Sequence, residues 1–160
     1  MESRIRALGH PVHPMLVTFP IGLWTAAVVF DLIQLTSGNE VFGEVGYWNI
    51  VAGVIGAVLA AVTGLADWTG IPANTRAKRV GLLHAGLNTL ALLLFVVAWL
   101  VRMDNPQHAL SGGLFVVEVI AIAVASVSAW FGGELVDRLG VGVHEDANPD
   151  APSSLRLGRG

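Results

Sequence analysis

Val80–Val101 reads VGLLHAGLNTLALLLFVVAWLV, 22 residues without a charged side chain. At 1.5 Å per residue, an α-helix of that length reaches about 33 Å, enough to cross a bilayer hydrocarbon core of about 30 Å. Three further apolar stretches flank it, at Met15–Thr36, Tyr47–Asp67 and Leu110–Gly132. The polar breaks between them are short: Ser37–Gly46, Gly70–Arg79 with Pro72, and Arg102–His108 with Pro106. Short breaks make consecutive helices antiparallel neighbours. The sequence therefore predicts an all-α membrane protein, an antiparallel bundle of four transmembrane helices near 15–36, 47–67, 80–101 and 110–132.

Composition agrees, since 54% of the 160 residues are hydrophobic and only 13% charged, an unusual balance for a water-soluble domain. The absence of cysteine excludes disulfides, iron–sulfur clusters, thiolate zinc sites and covalent haem attachment. A net charge of −3 and nine scattered basic residues exclude a nucleic-acid footprint. No phosphate-binding loop or nucleophile elbow occurs, and no catalytic residue is assigned. Residues 1–143 form the expected transmembrane domain, and the Pro- and Ser-containing segment 144–160 is expected to be a disordered tail. Tyr47, Trp48 and Trp99 on one side, and Trp68 and Trp130 on the other, are expected in interfacial belts.

Cytoplasmic loops carry the Lys/Arg excess. Arg4, Arg6, Arg76, Lys78, Arg79, Arg138, Arg156 and Arg159 fall on one side of the bundle and Arg102 alone on the other. Both termini are thus expected to be cytoplasmic, with the chain multi-pass in its membrane and the first apolar stretch kept as an anchor rather than cleaved as a signal peptide.

The same threading gathers polar residues at the cytoplasmic end: His10 and His13 in HPVHP, Asp67 in TGLADW, His84 in HAGLN, and Glu134 and Asp137 after Gly132-Gly133. Imidazole is a common transition-metal ligand and the usual axial ligand of membrane haem. Pro14 suits a first helical turn, and Pro20 predicts a kink beneath the histidines. His13 to Asp67 spans 54 positions and His84 to Glu134 spans 50, so each hairpin offers a histidine at its start and a carboxylate at its end. Gly53, Gly56, Ala57, Ala60 and Gly64 form a small-residue face that admits a close backbone or a flat ligand. Asp31 lies 18 residues after His13, on the same helical face, and Glu118 lies in the outer half of the fourth helix. For both acids the readings are a proton path, a contact with another subunit, or a neutral acid hydrogen-bonded within the bundle. Asn88 is expected to make an ordinary interhelical hydrogen bond, with support of the His84 imidazole as the alternative, whereas His108 and His144 are expected to be solvated.

HPVHPMLVTFPIGLW with Asp31 downstream, TGLADW, HAGLN, and GGELV followed by GVGV together resemble a bacterial four-helix membrane family known only as a domain of unknown function. The likeness spans Gly9 to Val143. It implies a four-span protein in which His10, His13, Asp67, His84 and Gly132-Gly133 occupy recurrent positions. Some relatives are joined to Rieske-type or cytochrome-type modules, which implies a redox setting. The family pattern favours Tyr where this chain has Asp137, and Glu118 has no matched position.

The leading expectation is a b-type cytochrome-like redox subunit. Its haem b would be held by His13 and His84, with His10 as an alternative ligand and Arg76, Lys78 or Arg79 near the propionates. A second reading places non-haem iron, zinc, copper or manganese among His10, His13, Asp67, His84 and Glu134. A third is a cofactor-free accessory subunit. Expected partners are the lipid bilayer and either other membrane redox subunits or further copies of the chain.

Overall fold

The computed structural model describes residues 1–154. A two-residue hairpin comes first, β1 (Arg6–Ala7) against β2 (His10–Pro11), turned through Leu8 and Gly9 at φ 50° and 83°. Paired positive φ values match the twist of a two-residue hairpin loop. Five helices follow: α1 (Val12–Leu16), α2 (Thr18–Ser37), α3 (Glu40–Gly70), α4 (Arg76–Met103) and α5 (Gly112–Asp137), with a 3-10 turn at Pro106–His108. α1 and α2 together make the first span, so four apolar helical spans cross the molecule. The first three extend beyond the limits read from sequence at both ends, whereas α5 starts two residues later than expected, at Gly112, and runs on to Asp137.

Local chemistry sets the ends. Asn39, Thr75 and Ser111 each accept a backbone N–H from the first turn of α3, α4 and α5. Gly38 closes α2 in the left-handed region at φ 71°. The interruption at Val17 lies where Pro20 acts: its ring has no N–H for the Leu16 carbonyl and crowds it, so the helix restarts with Ile21 N–H on the Val17 carbonyl. The helix is thus interrupted three residues before the proline at which a kink was expected.

α2 packs most closely on α3, and α4 on α5; α3 also meets α4, and α2 meets α5. This ring order sets α2 and α4 diagonally across the bundle axis. Burial is inverted relative to a water-soluble bundle. Leu32, Leu59, Val62, Leu93 and Ile120 face outward, whereas Asp31, Thr63, Arg102, Glu118 and Ser128 are buried. With lipid outside, apolar side chains gain nothing by facing inward, and small residues and hydrogen bonds hold the helices together. Ala27, Ala91, Ala98 and Ala121 supply the close contacts.

Of the tail expected from 144 onward, residues 155–160 lie outside the described part. Up to Ser154 the chain runs mainly in turns. It returns to the N-terminus through Gly142 N–H on the Met1 carbonyl and His144 against Glu2.

Candidate functional site

Three pairs of side chains meet along the bundle axis, one member from the first span and one from α4. The His13 and His84 rings lie 6.4 Å apart at 87°. Trp24 stacks on Phe95 at 4.4 Å. Asp31 pairs with Arg102. In all three the partners are 71 positions apart, as are the fully buried Ala27 and Ala98. The helices that follow repeat as well, Ala60 matching Ser128 and Gly64 matching Gly132. The chain thus reads as two similar helical hairpins, the first helices matching at an interval of 71 and the second at 68, as a parallel repeat about the bundle axis would place them.

At the end near the N-terminus, His13 Nδ1 lies 2.8 Å from the Ala60 carbonyl, and His84 Nδ1 lies 2.8 Å from the Ser128 carbonyl. A carbonyl only accepts, so each Nδ1 carries a proton and donates, and Nε2 is the nitrogen left to bear the lone pair when the ring is neutral. A hydroxyl backs each contact, Thr63 Oγ1 at 3.4 Å and Ser128 Oγ at 3.2 Å. Each ring also sits in a glycine notch. A Cβ at Gly64 would meet His13 Cε1 at 2.7 Å, and one at Gly132 would meet His84 Cε1 at 3.0 Å. Asn88 Nδ2 donates to His84 Nε2 at 3.1 Å.

The other polar residues of this end do not join the pair. His10 is exposed on the hairpin, with Nδ1 near the Leu8 carbonyl. Asp67 accepts from Ser3 Oγ and Arg4 N–H and holds the N-terminal segment. Glu134 pairs with Arg76 at 2.6 Å. Lys78 donates to the Trp68 carbonyl and lies over its ring, while Arg79 is exposed. Among the described residues no group of three or more histidine and carboxylate side chains is disposed around one metal position. The small-residue face of α3 is filled by its own chain: Gly53 takes Trp24, Gly56 takes Phe19 and Pro20, and Gly64 takes His13.

At the opposite end Arg102 is wholly buried and every guanidinium nitrogen is used. Nη1 and Nη2 grip Asp31 at 2.8 and 2.9 Å, Nη1 also reaches Glu118 at 3.2 Å, Nη2 donates to the Gly43 carbonyl at 2.7 Å and Nε to the His108 carbonyl at 2.9 Å. Asp31 and Glu118 are therefore partners of Arg102 within the chain, an arrangement not expected from the sequence. Gly46 makes room for Asp31. The expectation that His108 is solvated needs correction: it stacks on Tyr47 at 3.6 Å and meets Glu44 at 2.6 Å, with Gln107 and His108 held at φ 48° and 51° so that its carbonyl faces Arg102. Tyr47 is likewise buried rather than interfacial, its hydroxyl accepting from Trp99 Nε1 at 3.0 Å.

A family model described as "Predicted membrane protein (DUF2231)" matches residues 9–145. The chain belongs to this family. The match covers all four spans and both polar ends. Neither a curated protein nor a solved structure matches the chain, so the family membership places it in the membrane and leaves its chemistry to be argued from the two ends of the axis.

Proposed function

We propose that this protein is a multi-pass membrane redox subunit that holds haem b between His13 and His84. One observation carries the reading. Two imidazoles, equivalent in the repeated hairpins, both anchor Nδ1 to a main-chain carbonyl, which in the neutral ring leaves the lone pair on Nε2. Ligating histidines are oriented in this way, because the bond from the second nitrogen fixes tautomer and ring direction. The donor types suit haem: two imidazoles and no thiolate, with Asp67 and Glu134 engaged elsewhere. The two rings share one depth of the bundle, 6.4 Å apart between centroids, so both would be at hand for one bound group.

Bound haem would supply one-electron chemistry. This chain's residues orient and shield. Gly64 and Gly132 let the rings press against main chain, Thr63 and Ser128 back the anchored nitrogens, and the Trp24–Phe95 stack closes the axis beneath them. The Asn88 amide would give up the His84 lone pair on ligation, and exposed Arg79 is available to a propionate. On this reading the Lys/Arg excess of the near end would face the site to the cytoplasm, in a bacterial inner membrane. An electron partner would be another membrane subunit or a second copy.

The test is purification in mild detergent, with absorption spectra before and after dithionite and metal analysis on the same sample. Soret and α bands that vanish in His13→Ala and His84→Ala, while His10→Ala keeps them, are the expected result. A folded, colourless protein with stoichiometric metal would replace haem by a metal ion at the same pair. A folded protein with neither would reduce the histidines to helix–helix hydrogen bonds.

A further inference from the structure

The Arg102 end of the axis carries a second inference, independent of the haem reading. Two carboxyl groups and one guanidinium are buried together, Asp31 and Arg102 fully and Glu118 to within 1%. Both acids contact the same nitrogen, Arg102 Nη1, at 2.8 and 3.2 Å, so their oxygens lie no farther apart than those two bonds laid end to end. The two are not equivalent. Asp31 uses both oxygens on the guanidinium, whereas Glu118 makes one long contact and its Oε2 is buried without a partner.

Among the described residues no second cation is paired with either acid. Facing Glu118 are Asp31 from α2 and Arg102 from α4. From α3 the cluster receives the Gly43 carbonyl and, 6.0 Å from Arg102 Cζ, the face of the Tyr47 ring, while Glu44 is turned to His108 and Trp48, and the Tyr47 hydroxyl to Trp99. The loop contributes the His108 carbonyl. With both acids ionised the cluster would bury a net negative charge and an unsatisfied carboxylate oxygen within the bundle, which is costly in a medium of low polarity. One proton removes both problems. It neutralises the cluster and turns the orphan Oε2 into a donor beside an acceptor-rich carboxylate.

We propose that Glu118 is a proton-binding site: at neutral pH its carboxyl group is protonated, Asp31 and Arg102 form the ion pair, and proton release to the aqueous phase leaves the buried cluster with one negative charge. The repeat explains the placement. Asp31 and Arg102 occupy equivalent positions and compensate each other, so Glu118 is the member without a counter-charge of its own.

Infrared spectroscopy of the intact protein in detergent at pH 7, in H₂O and D₂O, tests this. The wild type should show the C=O stretch of a protonated carboxylic acid, shifted in D₂O. Glu118→Gln should lose that band and unfold within a few degrees of wild type, since the amide reproduces a neutral carboxyl's shape and supplies a donor. Glu134→Gln should keep it. Identical wild-type and Glu118→Gln spectra in the carboxylic-acid region would overturn the proposal, as would loss of the band in Asp31→Asn with retention in Glu118→Gln. Failure of Glu118→Gln to fold would also overturn it, because a carboxylate charge would then be required.

Discussion

Replacing Arg102 by Met removes all five guanidinium hydrogen bonds while roughly keeping an unbranched side-chain volume. Asp31 loses both of its charged contacts, and the Gly43 and His108 carbonyls lose their Arg102 donors. Breaking a buried ion pair on one side costs about 3–5 kcal/mol, because the remaining charge stays buried without compensation. That range applies here because both partners are fully buried and the pairing is bidentate. Reversible unfolding in mixed micelles by sodium dodecyl sulfate, followed by helical circular dichroism, would read the loss. The deficit should shrink on acidification, since protonating stranded Asp31 removes its charge. The triple variant D31L/R102M/E118L should recover most of the stability, an apolar replacement of the whole cluster being far less costly than half of it. A loss below about 1 kcal/mol in Arg102→Met, or a triple variant weaker than the single one, would refute the view that the cluster holds this end together.

The glycine notches give a second prediction: Gly64→Leu and Gly132→Leu each displace a histidine ring and should destabilise by about 1–3 kcal/mol of overpacking, with loss of any absorption or metal carried by the pair. Tyr47→Phe removes the acceptor for Trp99 Nε1 and should cost about 1 kcal/mol in the same unfolding assay. Asp67→Ala releases Ser3 and Arg4, and hydrogen exchange at the Arg4 amide should accelerate while amides in the middle of α3 stay protected.

Much of the fold was legible because membrane spans announce themselves by length and apolar content, which depend on no tertiary contact. The histidines at one end were legible for the same reason, since helix direction alone brings His13 and His84 to a common depth. The polar network at the other end was not. Arg102 read as a lone loop charge because orientation rules count cations at span ends without asking what faces them. Yet a signal was present. Asp31 follows His13 by the same interval as Arg102 follows His84, and comparing those positions pairs the acid with the base. The echo drawn through Asp67 and Glu134 joined residues that instead serve the N-terminal segment and Arg76.

The sequence by itself determined four helices, their antiparallel order and the end at which each polar residue emerges, because hydrophobic length and short connections are local properties. Only the tertiary structure decided which polar groups meet. That depends on helix rotation and ring order, set by where Gly43, Gly46, Gly53 and Gly64 let side chains of the first span approach α3. Those contacts turn His13 toward His84 and Asp31 toward Arg102, and leave His10 outside on its hairpin.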